Sequence, residues 1–377
     1  MPAYYPVIDK LTREQAETIG GTGIWKVPDK GKFTGIFLDI TCSGAAARNA
    51  LEKSKIIDTI DSIEVIVDGS RELHSYTGQL AQAMAFYDRG INPVDKITEY
   101  ATAMQRCIIP ISFGRKWFDD ELLLTAENYD SVRLHVKNDM SSTYWSGLAI
   151  TPYYVRMAGD VAALGARGVL EKKIYKEYNT VQDGTEDIDL EESGLLRRIL
   201  LQGVPARSSN KDACDFRDLM YDLKYTGKSA DVLFFDQNLN ALLWWNAFDY
   251  GYDVISHGQA YRAADDSFQH GAGMLLAAAL GSSSADDAVS AVVPTKSGDD
   301  DGSIKFEGYE ADSPIDFLTK GVGMFHTGVF RHDREPDLSD YLDLAIWKTM
   351  HLKIHTRNSS SAASGKVKIL TERVVPK

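Results

Sequence analysis

The chain repeats itself, and the repeat restricts its possible folds more than any other feature. Val27, Gly31, Ile36 and Leu38 return as Leu190, Gly194, Ile199 and Leu201, each 163 positions later. Met84, Tyr87, Asp88 and Gly90 return as Trp245, Phe248, Asp249 and Gly251, a shift of 161. Leu134, Ser141, Ser142, Ser146 and Gly147 return as Leu352, Ser359, Ser360, Ser364 and Gly365, a shift of 218. The matches are collinear, so the sequence reads as two copies of one unit. The second copy carries the 55 extra residues by which 218 exceeds 163, placed between Gly281 and Tyr341. With 377 residues in all, each copy is long enough to bury a core of its own.

The repeated unit has the periodicity of strands. In Ser62–Asp68, Ile63, Val65 and Val67 alternate with polar positions before a turn at Asp68-Gly69. In Ser131–Lys137, Val132, Leu134 and Val136 point one way while Arg133, His135 and Lys137 point the other. Short runs of Ile, Val, Tyr and Phe, broken by Gly, Asp, Asn and Ser, continue from Ile24 onward and predict an all-β chain. Pro110 and Pro152 lie inside such runs and predict edges or bulges there.

Helical signals are few. Thr12 and Gln15 have capping-box spacing, with Leu11 set to staple onto Ala16 and Gly20-Gly21 as a stop, which predicts a short helix within residues 1–19. Leu80, Met84 and Tyr87 share one helical face, as do Leu242, Trp245 and Phe248, and Gly90 and Gly251 stand at the C-terminal caps. Leu170–Tyr178 fits either period and is assigned to a strand. The Gly- and Ala-rich stretch Ala158–Gly168 reads as the join between copies.

A formal charge of −13 excludes broad contact with nucleic acid, which requires Lys and Arg against the phosphates. Residues 1–20 set Lys10 and Arg13 against Asp9, Glu14 and Glu17, so they form no basic arm, and no signal-peptide pattern is present. The longest apolar run, around Met274–Leu280, falls far below the ~20 residues of a membrane span, so any membrane relation is peripheral. Cys42, Cys107 and Cys214 form no CxxC, and the first two read as small buried hydrophobes of a chain folded under reducing conditions.

Chemical motifs fare poorly. His351 and His355 have zinc-pair spacing, but HLKIH alternates like a strand and lacks the Glu of HExxH, so both should face solvent beside Lys353. His326 and His332 read as loop histidines. Asp299, Asp301, Ser303 and Glu310 resemble part of a calcium loop, but Ile304 replaces its turn glycine. The acidic stretch Asp183–Glu192 reads as a solvated strand edge. Asp119 and Asp120 are paired carboxylates of a kind common in an acidic chain. Trp244 and Trp245 could form a sugar platform, but their helix and its match to Met84 assign them to core packing. No GxSxG, phosphate loop or dinucleotide fingerprint occurs. The sequence therefore predicts no catalytic, cofactor-binding or metal-binding residues.

Three stretches carry a resemblance: IDSIEVIVDGSRELHSYTGQLAQAMAFYDRG, then IIPISFGRKWFDDELLL followed by YDSVRLHVKND, and EDIDLEESGLLRRILLQG opening the second copy. With them the chain resembles, over nearly its whole length, the double jelly-roll major capsid proteins of tailless icosahedral bacteriophages and related viruses, many of which enclose a membrane. The resemblance implies two tandem eight-stranded jelly-roll β-sandwiches with short helices. Mapped onto this sequence, an N-terminal helical segment spans 1–19, the jelly rolls 20–158 and 169–377, and a linker 159–168. It implies no enzyme and no cofactor. The expected function is a homotrimer serving as a pseudo-hexameric tile of an icosahedral shell, made in the host cytoplasm and located in the virion. Its partners would be neighbouring capsomers, penton and minor capsid proteins, and an internal membrane surface where one underlies the shell. The insertion, set near 286–345, is expected at the outer end of the second barrel, with Ile304–Phe306 and Met324–Phe330 as the stretches able to add strands. A glycan-binding or glycan-hydrolysing β-sandwich and a minor virion spike protein are the alternatives.

Overall fold

The computed structural model describes residues 4–44, 55–98, 103–190, 194–208, 211–212, 215–228, 231–251, 253–261, 267–269, 272–282, 290–292, 303–307, 314–333, 341–347, 350–360, 363 and 365–375. The chain divides into two compact units. The first comprises Met1–Arg48, Lys53–Lys173 and Glu372–Lys377, and the second Asn49–Glu52 and Ile174–Thr371.

The first unit begins with β1 (Tyr4–Lys10), β2 (Thr12–Gln15), β3 (Thr22–Lys26) and β4 (Lys32–Gly44). Then come α1 (Ile56–Thr59), β5 (Ile60–Val67), β6 (Arg71–Tyr76), α2 (Gly78–Arg89), β7 (Asp95–Thr98) and β8 (Met104–Ser112). The short β9 (Leu124–Thr125), β10 (Val132–Asn138), β11 (Trp145–Gly159) and the first half of β12 (Val169–Asn179), as far as Lys173, complete the series. Neighbours in one sheet run β1-β11-β4-β8-β7 and in the other β2-β3-β10-β5-β6-β12. Eight of these strands, four per sheet, make the jelly roll, with β1, β2 and β12 added at the edges. The period-two pattern decides which side chains go inside. Ile63, Val65 and Val67 of β5 and Val132, Leu134 and Val136 of β10 are buried, as are Ile36, Leu38 and Ile40 of β4. Pro110 pairs with Phe37 on one side and lies beyond the reach of β7 on the other, where the missing N–H costs nothing.

The second unit repeats the plan. Thr185–Leu190, Met350–His355, Asp222–Gly227 and Val232–Asn238 are neighbours in that order, as β3, β10, β5 and β6 are. Leu134 sits opposite Trp25 and Val65, and Leu352 opposite Ile188 and Tyr225, with both leucines wholly buried. Gly365–Val375, Leu195–Pro205 and Thr327–Arg331 are neighbours as β11, β4 and β8 are. Two helices, α3 (Phe216–Leu219) and α4 (Leu239–Tyr250), line this core, and α4 takes the place of α2 in the repeat.

Three expectations are corrected. The N-terminal helix does not form: Tyr4–Lys10 pairs with Gly159–Tyr153 and Thr12–Arg13 with Lys26–Trp25, so the sheet takes the backbone groups a helix would use. Leu11, buried between the two strands, donates its N–H to the Pro152 carbonyl at 3.0 Å instead of stapling a helix. The stretch 159–168 is not a free linker, because Gly165 N–H bonds Asp120 O at 2.8 Å and Arg167 N–H bonds Glu121 O at 3.1 Å, within the first unit. The insertion ends earlier than 345, since Thr327–Arg331 takes the place of β8, while Pro314–Met324 before it is a strand with Phe317 and Val322 buried. Ser303–Glu307, pairing with Ser267–Gln269 and Ser290–Val292, forms a separate three-stranded sheet, and Asp299, Asp301 and Glu310 lie outside the described residues.

Candidate functional site

Two apolar surfaces, one on each of the repeated helices, are the features the fold does not use up. In the first unit α2 is capped at both ends: Thr77 Oγ1 accepts from Leu80 N–H at 3.3 Å, and Gly90, left-handed at φ 67°, donates to Phe86 O at 2.7 Å. Its buried face carries Leu80, Ala83, Met84 and Tyr87. Just past the cap, Ile91 and Val94 are exposed over a pocket of about 230 Å³ that they line with Phe37, Ile108, Pro110 and Trp117.

Polar side chains stand in that wall at Gln82, Arg89 and Asn92. Gln82 is buried, and its Nε2 donates to both Asp95 carboxylate oxygens at 3.0 and 3.1 Å and to Ile108 O at 3.1 Å. Those acceptors fix the amide orientation, because a flipped amide would set oxygen against oxygen. The buried Gln82 Oε1 is left with no hydrogen-bond partner. Arg89 also lines the pocket and makes no ion pair among the described residues.

In the second unit α4 is held by Asn246. This buried amide donates to Val329 O and accepts from Val329 N–H, both at 2.7 Å, and so fastens the helix to strand Thr327–Arg331. Asn238 Oδ1 caps the other end by accepting from Ala241 N–H at 3.0 Å. With Leu239, Leu242, Leu243 and Asn246 turned inward, Trp244, Trp245 and Phe248 are 51%, 52% and 81% exposed. The core assignment of the two tryptophans is therefore wrong. The repeat placed Trp245 and Phe248 on Met84 and Tyr87 correctly in sequence, but Met84 and Tyr87 are buried whereas Trp245 and Phe248 are exposed. No signal in the sequence distinguishes a face packed by its own chain from one left bare.

The titratable groups singled out in the sequence have structural partners. Burial pushes the Asp119 carboxyl up, but bonds from the Arg115 guanidinium at 2.6 and 2.7 Å bring it below the ordinary range, and Arg115 also reaches Glu121 at 2.7 Å. Asp120 accepts from Tyr4 Oη at 2.7 Å. His351 and His355 alternate with buried Leu352 and Ile354 and share the outer face with Lys353. His351 Nδ1 lies 2.5 Å from Asp189, and Asp187 joins them in a group whose ligand-capable atoms lie within 4.8 Å of one another. His326 occupies a turn, as expected, but is buried there against Phe216 at a ring distance of 4.9 Å, and His332 contacts Tyr225 Oη at 3.0 Å. Cys42 and Cys107 are buried free thiols, and Cys214 lies outside the described residues.

No protein-family model and no curated protein matches the chain. Solved structures do. The chain is similar to the major capsid protein of Sulfolobus turreted icosahedral virus at a TM-score of 0.60 and 10% identity, covering 98% of this chain and 97% of that one. It is similar to the PBCV-1 virus capsid protein at 0.58 and 7% identity, covering 98% and 93%. To the major capsid protein P2 of bacteriophage PM2 it is similar at 0.52 and 10%, covering 99% of both chains. At such identities the likeness is one of fold: the chain is a double jelly roll, the fold of these viral major capsid proteins, over nearly its whole length.

Proposed function

We propose that this chain is the major capsid protein of a tailless icosahedral virus, acting as a homotrimer that tiles the shell. The observation that carries the reading is the double jelly roll matched across 98% of this chain and 97% of the turreted-virus protein, with no large domain left over on either side. Two similar sandwiches in one chain suit that task. Three chains around a three-fold axis set six similar units in a ring, so a trimer can occupy a hexagonal position. Exposed apolar surface on both units supplies contacts of the kind such a ring needs. The reading assigns the chain no catalytic step. It places the protein in the virion after synthesis in the host cytoplasm, beside neighbouring capsomers, penton and minor capsid proteins and any membrane beneath the shell.

Native mass spectrometry together with electron microscopy of the purified protein tests this. The expected species has three times the 41.8 kDa chain mass and a pseudo-hexagonal outline. A monomer at every concentration, with no larger assembly, overturns the reading.

A further inference from the structure

The outer face of the second unit carries metal-capable side chains that the core does not require. Strand Thr185–Leu190 pairs antiparallel with Met350–His355, which sets Asp189 opposite His351 and Asp187 opposite Lys353. Side chains two apart on a strand share a face, so Asp187, Asp189 and His351 stand together on the solvent side, while Ile188, Leu190, Met350 and Leu352 are buried on the other. The ligand-capable atoms of the three lie within 4.8 Å of one another, and among the described residues no other three His, Cys, Asp or Glu side chains do so. His355, on the same face, meets a single carboxylate, Asp183, at 3.4 Å. The sequence offered His351 and His355 as a pair, but the fold gives His351 two acids from a strand far away in the chain. Asp187 makes no ion pair with Lys353 among the described residues, although the two are opposite in register, and its carboxylate lies within reach of the Asp189 carboxylate instead. Two such groups repel each other in a chain already at −13, and a cation held between them relieves the repulsion.

We propose that Asp187, Asp189 and His351 bind one divalent transition-metal ion of the zinc class, with water completing its coordination. The donor set decides the class: an imidazole nitrogen with carboxylate oxygens suits zinc and its first-row neighbours, whereas calcium and magnesium take oxygen alone. Donors around one tetrahedral zinc stand about 3.3–3.5 Å apart, given bonds of about 2.0–2.2 Å. The 2.5 Å between His351 Nδ1 and Asp189 and the 4.8 Å limit of the whole set lie on either side of that spacing, so rotation of exposed side chains closes the site without moving the strands. The ion replaces the proton that His351 Nδ1 donates to Asp189, and that proton leaves to solvent. Two of the ligands belong to a strand with a sheet neighbour on one side only among the described residues, while its counterpart β3 is held between β2 and β10. A shared ion therefore ties an edge strand to its sheet. The site lies wholly within the second unit, so it does not depend on how copies of the chain associate.

The test titrates zinc chloride into the full-length chain by calorimetry, with calcium chloride in parallel, and repeats both on variants. The wild type is expected to bind zinc at one tight site per chain and to melt at a higher temperature with it, and calcium at the same concentration is expected to do neither. His351→Gln and Asp187→Asn should each weaken the tight site about 100-fold or more, because even an outer-shell partner of a metal is worth about 10–100-fold. His355→Gln and Asp183→Asn remove the neighbouring His–Asp contact and should bind zinc as the wild type does. All four positions lie on the surface, so without metal the variants should melt as the wild type does. If one does not, anomalous scattering at the zinc edge from wild-type crystals decides, with a peak expected between the three side chains. Zinc bound equally by the wild type and His351→Gln, calcium bound as tightly as zinc, an anomalous peak elsewhere, or no zinc bound by the wild type overturns the inference.

Discussion

His74 lies wholly inside the first unit, with Nε2 3.0 Å from Leu170 O and Nδ1 3.2 Å from Tyr76 Oη. A carbonyl only accepts, so Nε2 carries the proton and Nδ1 accepts from the tyrosine. Burial, reinforced by the neighbouring Lys172 ammonium, pushes its pKa down to about 3 from an ordinary 6.5. Between those values the unfolded chain binds a proton that the folded chain refuses, so this site's penalty is absent above pH 6.5 and grows as pH falls toward 3. The slope is about 1.4 kcal/mol per pH unit. Urea midpoints measured from pH 7 to pH 4 should fall for the wild type and fall less steeply for His74→Gln, whatever the variant's stability at neutral pH. Equal slopes would show that His74 is not buried neutral. Asn246 offers a second residue-level test. Asn246→Ala removes both bonds to Val329 and strands a buried N–H and C=O, at a cost of about 2 kcal/mol or more in chemical denaturation.

Among the elements, those whose partners lie nearby were the most legible in the sequence. The alternation in β5 and β10 and the glycine caps of α2 and α4 are local signals, and each is realised at the residues that carry it. Residues 4–15 were misread for the opposite reason. A capping-box spacing is local, but the strand that captures Tyr4–Lys10 lies more than a hundred positions away, and nothing in the segment announces it. The face of α4 was misread because amphipathic spacing shows that a stripe is apolar without showing what lies over it. The α2 pocket was not foreseen either, since Phe37, Gln82, Val94, Ile108 and Trp117 come together only through the pairing of β4 with β8. The caps themselves can be tested. Gly251 is left-handed at φ 66°, and a Cβ there would meet nothing within 4 Å, so Gly251→Ala carries backbone strain alone. The expected loss is about 1 kcal/mol, and Gly251→Asn should lose less, as thermal melts would reveal.

For the molecule as a whole, the charge of −13 opposes every contact between copies. Raising ionic strength from 0.01 M to 0.15 M shortens the screening length from about 30 Å to about 8 Å. Light scattering should therefore show association strengthening over that range, the reverse of what an assembly driven by charge pairing would do. The division of the chain also bears on the order in which it folds. The first unit includes Glu372–Lys377, where Glu372 is wholly buried and Arg373 Nε lies 2.6 Å from Glu171. The ribosome must therefore add all of Ile174–Thr371 before the first unit has its last strand segment. Domains usually finish in the order they are made. Here the second unit has its full set of residues first, and the half translated earliest waits for the strand that comes last.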